Sequence, residues 1–346
     1  MKNSFYDYSL EDLNILFKEN NLSSSTPGQL FNWHYKKRQT SPCLKDMAKQ
    51  SIEFIQNNLT FNLPEINTIQ LSTDNTVKFL FNFSDNLKVE TVLIPFNNKY
   101  TICLSSQVGC GMNCSFCFTG SQGLKRNLTT TEIIGQFIMA QKWLTENRPN
   151  YDRILNIVFM GQGEPLHNFD AVKKSCEIFL SQFGLSIACH KITISTAGYL
   201  PGIERFKNEM PNVNIALSLH SPIEEKRNQL IPINKKYPLS KILEFIDKIP
   251  EGKNRFVTYE YLLIKDFNDT ELDAHLTGEL LRGKKAYINL IPFNSIPNSK
   301  YERSVDASIA RFKAILDQYK IPTLIRTTKG DEIMAACGQL NTKVIL

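Results

Sequence analysis

Four cysteines fall within the fifteen residues "CLSSQVGCGMNCSFC", Cys103 to Cys117. Cys110, Cys114 and Cys117 are spaced C-x3-C-x2-C, and Cys103 stands seven residues before the first of them. Thiolates bind soft metals and iron–sulfur clusters. Structural zinc wants four closed ligands, usually paired C-x2-C or Cys/His sets. This chain has no second C-x2-C, and its five histidines are scattered. A 4Fe–4S cluster normally takes four thiolates. Three would leave one iron open, as catalytic zinc sites keep one position free. A further cysteine, Cys337, lies in "MAACGQL"; a lone cysteine between alanines is ordinarily a small core residue.

Something must position these groups. From residue 100 onward, apolar β-rich runs ("YTICLSS", "ILNIVFMG", "HKITISTAG", "VNIALSLHS", "FVTYEYLLI", "AYINLIPFN", "TLIRTT") alternate with helical patterns. The helix after the cysteine loop opens on a capping-box signature, Thr129 with Glu132. Strands alternating with helices predict βα units and a parallel sheet. Several strands end in polar or glycine-rich residues, "MGQGEP", "STAG", "SLHS" and "PFN". Ligands of parallel α/β folds lie at the C-terminal strand ends, so these residues are expected to face one site.

The 346 residues are ample for a large core and a smaller unit. Net charge is +6, which permits an anionic partner such as RNA without demanding one. The N-terminal residues lack the apolar segment of a signal peptide, and no run approaches the ~18 apolar residues of a membrane span. A cytoplasmic location is therefore expected, where thiols stay reduced and serve metal or catalytic chemistry. The first sixty residues read as helical, with Leu10, Leu13, Leu16 and Phe17 on one face. In "TPGQLFNWHYKKRQ", Phe31, Trp33 and Tyr35 accompany Lys36, Lys37 and Arg38. Aromatics beside cations can stack on nucleic acid, or form one core face and one wet face. Residues 65–95 predict a small antiparallel pair from "TVKFLFNF" and "KVETVLIP".

The cysteine loop resembles that of the radical S-adenosylmethionine (SAM) superfamily. "VGCGMNCSFCFTGSQGLKRNLTTTEIIGQ", "MGQGEPLHN", "ALSLHSP", "LIPINKKYPL", "INLIPFN" and "AACGQL" together resemble the RlmN family, over roughly residues 20 to 340. That family methylates C2 of adenosine in 23S rRNA and tRNA. The resemblance implies a partial (β/α)6 barrel with a small N-terminal helical, helix-hairpin-helix-like domain. Its boundaries would be 1–60 for the helical RNA-binding-type unit, 61–95 for a linking β extension, and 96–346 for the core with the C-terminal catalytic cysteine.

The resemblance also implies roles. Cys110, Cys114 and Cys117 would hold one 4Fe–4S cluster, whose open iron chelates SAM and cleaves it to a 5′-deoxyadenosyl radical. SAM contacts would come from Gly163 and Glu164, Ser195, Ser218, Leu219 and His220, and Asn294. Cys337 would carry the methyl group, using two SAM per turnover. Cys103 would release the product through a transient Cys103–Cys337 disulfide. Glu90 would take the C2 proton. Lys125, Arg126, Lys235 and Lys236 are candidates for phosphate contacts, and base flipping is implied. Cys43, Cys176 and Cys189 match no motif of the family, and Cys176 reads as core. Expected partners are 23S rRNA, tRNA and an electron donor such as flavodoxin or ferredoxin, with no membrane and a monomeric state.

This sequence departs from the family at Gln162, usually methionine, at Met334, usually aspartate, and in "CFTG" for "CSTA". The alternatives are a Cfr-type enzyme that methylates C8 of the same rRNA adenosine and confers antibiotic resistance, a zinc-stabilised RNA-binding protein without catalysis, and a thiol redox sensor.

Overall fold

The computed structural model describes residues 2–42, 44, 46–148, 153–210, 212–249 and 257–342; Cys43 lies outside them. Ten strands form one sheet in chain order: β1 Glu65–Leu71, β2 Val77–Asn82, β3 Lys88–Phe96, β4 Lys99–Cys103, β5 Ile154–Phe159, β6 Ile192–Thr196, β7 Asn214–Ser218, β8 Val257–Leu263, β9 Ala286–Pro292 and β10 Thr323–Ile325. Each of β4 to β10 runs parallel to its neighbour, which demands a crossover between each pair. Six such crossovers, each carrying one or two helices, build the partial (β/α)6 barrel.

The crossover helices are α4 Thr130–Asn147, α5 Phe169–Leu180, α6 Leu200–Glu209, α7 Glu224–Leu230 with α8 Leu239–Ile246, α9 Glu271–Leu281, and α10 Asp306–Gln318. The α4 capping box forms as its sequence indicates: Thr129 Oγ1 accepts from Glu132 N, and the Glu132 carboxylate accepts from Thr129 N. Ile192 and Ile194 of β6 are fully buried beneath the helices, whereas Ser195, one residue on, projects from the opposite face of the strand.

Residues 65–96 form three antiparallel strands, where the sequence suggested two. The extra one is β1, "EINTIQL". Its exposed and half-buried residues alternate as an edge strand should, but its polar residues mask the apolar signal. β3 then pairs antiparallel with β4, so this meander continues the barrel sheet.

N-terminal helices α1 Leu10–Glu19, α2 Thr26–Phe31 and α3 Lys49–Asn58 share the main core, and the turn Phe5–Asp7 before them packs against α4. Thr131 N donates to the Asp7 carboxylate at 2.8 Å, and Lys174 pairs with Asp12 at 2.7 Å. Phe31 and Tyr35 are buried in an aromatic core with Phe5, while Lys36, Lys37 and Arg38 face water. These two aromatics therefore cannot stack on a base; the core-face and wet-face reading holds. Trp33 is half-buried, with Lys37 over its ring. Cys176 is fully buried, as core. Among the described residues, no helix is long and apolar enough to cross a membrane.

Candidate active site

The cysteine loop leaves β4 and is closed at its base by a two-stranded ribbon, Gln107–Gly109 against Leu124–Asn127. Gly109 makes that closure possible. At φ +73° a side chain is disfavoured, and a Cβ would lie 1.8 Å from the Gly123 carbonyl oxygen. Cys110 N donates to the same oxygen at 3.1 Å, and Cys117 N to Cys114 O at 3.2 Å. The loop thus curls, and its three thiols lie within electrostatic reach of one another. Burial pushes all three up from their ordinary range, Cys110 to about 12, and repulsion from neighbouring cysteines adds to the effect at Cys110 and Cys114. Among the described residues, no three His, Cys, Asp or Glu side chains are spaced to hold a single metal ion.

Around this loop the strand ends converge. Gly163, after β5, has φ +100°, and a Cβ there would sit 2.7 Å from Gln107 N. Glu164 is buried; its carboxylate accepts from Ala197 N at 2.8 Å and Leu166 N at 3.2 Å. Desolvation raises its carboxyl to about 7, partly opposed by those N–H bonds. It also lies within electrostatic reach of Cys110 and Cys114. Ser195 and Ser218 are half-buried at the ends of β6 and β7. Leu219 is fully buried, its N–H bonded to Glu260 O and its carbonyl to Arg227 Nε, so its groups are committed within the protein. His220 has φ +55° and packs its ring edge-on against Phe116 of the cysteine loop at 4.8 Å. Its Nδ1 accepts from Leu262 N at 3.0 Å, and burial lowers it to about 3, so the ring is neutral. Asn294 donates to Cys337 O at 3.2 Å and accepts from Thr328 Oγ1 at 2.9 Å.

Cys337 is drawn to the same place from the far end of the chain. Phe118 N donates to Gly338 O at 2.8 Å, and Thr119 Oγ1 to Leu340 O at 2.8 Å. Ala335 and Leu340, on either side of Cys337, pack in one buried cluster with Cys103. Cys337 and Cys103 are free thiols and electrostatic neighbours; Cys337 also senses Cys117. Cys337 is exposed, yet the walls around it desolvate its thiol and push it up. A side chain at the floor of an open concavity meets both descriptions, and its accessibility is what matters for a reactive thiol.

Glu90, on β3, is buried with both carboxylate oxygens engaged, to Lys78 at 2.9 Å and to Asn341 N at 2.5 Å. Desolvation raises its carboxyl, opposed by Lys78 and the Asn341 N–H. Lys78 also donates to Met334 O at 3.3 Å, tying β2 to the Cys337 segment. Gln162, the departure in "MGQGEP", is fully buried, and its Oε1 accepts from Glu90 N at 2.8 Å.

Several residues here were not singled out from sequence: Lys78, Arg227, Glu260 and Arg326. Lys78 and Glu260 carried a signal, a charge inside an otherwise apolar strand. Arg126 is a correction. Its guanidinium binds Glu132 through two bonds of 2.8 Å and Asp85 through one of 2.6 Å, so its charge is already answered by two carboxylates rather than held ready for phosphate. Lys125, Lys235 and Lys236 remain exposed.

Three comparisons bear on this geometry. The model of the radical SAM superfamily matches residues 104–277, from just after β4 into α9. Sequences named as probable dual-specificity RNA methyltransferases RlmN match over the full chain. That of Clostridium botulinum (strain Alaska E43 / Type E3) is 39% identical over 100% of this chain and 98% of its own. That of Aquifex aeolicus is 40% identical over 97% of each. The chain belongs to the RlmN family. A crystal structure of a radical SAM methyltransferase from Sphaerobacter thermophilus superposes with a TM-score of 0.89 at 33% identity, over 99% of this chain and 100% of that one. Membership in the RlmN family makes this chain a radical SAM RNA methyltransferase, and implies a 4Fe–4S cluster and SAM. The residues present fit both groups: three buried thiols on one loop, within electrostatic reach of the buried Glu164 carboxylate.

Proposed function

We propose that this enzyme methylates C2 of an adenosine in 23S rRNA, at the peptidyl-transferase centre, and of the adenosine 3′ to the anticodon in tRNA. The observation that carries the reading is the exposed Cys337 thiol held between the cysteine loop and Cys103. When bound, the cluster on Cys110, Cys114 and Cys117 and two SAM per turnover supply a methyl group and the one-electron chemistry that removes a hydrogen from it. Cys337 Sγ accepts the methyl and then carries it as a methylene to C2, a carbon with no lone pair for polar transfer. Glu90 takes the C2 proton. Cys103 attacks the Cys337 sulfur, which frees the methylated base and leaves a disulfide for cellular reductants to reopen. Gly163, Glu164, Ser195, Ser218, His220 and Asn294 form the SAM pocket, and Leu219, fully buried, supports their strand end. The ammonium group of SAM beside Glu164 would favour the ionised carboxylate, offsetting the cost of its burial. An electron donor such as flavodoxin or ferredoxin serves the monomeric enzyme in the cytoplasm.

A direct test uses reconstituted protein with SAM and no RNA. The peptide containing Cys337 should gain one methyl group by mass spectrometry; an unmodified Cys337, or methyl on another cysteine, would remove the reading's foundation.

Residues 1–60 would grip RNA through exposed Lys36, Lys37 and Arg38, with 61–95 as a linking extension of the core, 96–346. Arg326, at the end of β10, would contribute at the mouth. Its side chain is exposed, lies within electrostatic reach of Glu260 and Cys337, and lines a cavity of about 640 Å³ with Asn294 and Thr328. Arg326→Ala should weaken RNA binding roughly tenfold at low salt and reduce the salt slope of log Kd by about 1. Filter binding across a salt series checks this, and an unchanged slope counts against a phosphate contact.

Lys78→Met removes the cation that opposes the burial-driven rise of the Glu90 carboxyl. A base must be ionised to accept a proton, so the acid limb of the pH–rate profile should move to higher pH. Breaking this buried pair should also cost about 3 kcal/mol of stability above that limb, measured by denaturant unfolding. The sign follows from linkage. A carboxyl raised in the fold is unfavourable when charged, so the stability loss should shrink as pH falls through its folded value.

A further inference from the structure

Arg227, on α7, is among the largest fully buried side chains of the described residues. Its guanidinium donates through Nε to Leu219 O at 3.1 Å, and through one terminal nitrogen to Ser218 O at 2.9 Å and Ala197 O at 3.0 Å. Its other terminal nitrogen bonds Asn234 Oδ1. Three of these acceptors are carbonyls just at or beyond the ends of β6 and β7, the segments that carry Ser195, Ser218 and His220. None of the partners is a carboxylate among the described residues.

A buried cation bonded only to neutral acceptors is costly unless an anion lies within reach. Two groups answer. Glu224 faces it through Asn234, accepting from Asn234 Nδ2 at 2.5 Å and from Leu239 N at 2.9 Å. On the other side is Cys114, an electrostatic neighbour of Arg227. The helix is docked directly on the cysteine loop: Ser115 N donates to Leu230 O at 3.0 Å, and Leu230 and Ile231 pack against Cys110, Cys114 and Phe116.

We propose that Arg227 is a positioning residue that fixes the SAM-side ends of β6 and β7, and that its charge raises the reduction potential of the cluster held by Cys110, Cys114 and Cys117. Adding an electron makes the cluster more negative, and a fixed cation nearby in a low-dielectric interior favours that state. Glu224 partly offsets the cation and sets how much of its charge the cluster senses.

The inference rests on the cluster but not on the RNA product. The test is therefore a potentiometric titration, followed by electron paramagnetic resonance, of anaerobically reconstituted enzyme without RNA. Arg227→Gln should lower the ratio of reduced to oxidised cluster about tenfold at a fixed potential, a shift of about 59 mV to more negative values. It should also weaken SAM binding by isothermal calorimetry. Glu224→Gln removes an anion that touches neither strand end. It should shift the potential the opposite way and leave SAM affinity unchanged. Damage to the loop alone would not give opposite signs. An unchanged potential in Arg227→Gln, or shifts of the same sign in both variants, overturns the charge role. If Arg227→Gln does not fold or take up iron, Glu224→Gln decides alone: a potential that fails to rise overturns the proposal. A wild-type protein that binds no iron would instead refute the cluster, a different failure.

Discussion

Cys337→Ala is expected to abolish methylation of RNA, by at least about 10³-fold, while iron content and fold are retained. The reasoning is local. The methyl carrier must be a sulfur, because only sulfur can accept the methyl, hold it as an attached methylene and then be cleaved by a second thiol. Alanine supplies none of these steps. Cys337 is exposed and makes no core contact of its own, so the substitution should change stability little. The loop is held by its neighbours, through Phe118 N to Gly338 O and Gln339 Nε2 to Ser295 O, and neither bond uses the thiol. Iron analysis, unfolding and a methylation assay on the same preparation check the three parts. Residual methylation near wild-type level would mean that the methyl travels another way.

Cys103→Ala should have an opposite signature: methyl transfer to the base begins but does not finish. With no thiol to attack the Cys337 sulfur, the RNA stays attached to the protein, and a covalent adduct accumulates up to one per enzyme. Cys103 suits that role by position. It ends β4 beside Ala335 and Leu340 and is an electrostatic neighbour of Cys337. Burial holds its thiol well above the ordinary range, so it rests protonated. Truncating one buried thiol should cost on the order of 1 kcal/mol, too little to unfold the chain. The adduct is read as a shifted band on a denaturing gel that is sensitive to nuclease. Normal turnover with no such band would refute the resolving role.

Much of this was legible in the sequence because the barrel repeats a simple pattern. Each apolar run ending in polar or glycine residues became a parallel strand that opens on the site, and each intervening amphipathic stretch a helix. β1 was missed because an edge strand with one wet face carries few apolar residues. The pairing of Arg126 was not legible, since Asp85 lies on a different hairpin and only the folded chain brings them together. The same limit applies to Cys103 and Cys337. Residue types and resemblance marked each of them, but no spacing rule predicts that the C-terminal segment crosses the cysteine loop. Gln162 shows the reverse case. As a departure from the family it was only an anomaly, whereas in the fold its side chain holds the backbone of Glu90 and links the SAM-side loop to the proposed base.

The most direct measurement is mass spectrometry of nucleosides from purified 23S rRNA and tRNA of cells with and without this protein. The account predicts 2-methyladenosine in both RNAs, present only with the protein and lost in Cys337→Ala. The appearance of 8-methyladenosine in 23S rRNA, or of no methylated adenosine, would contradict it.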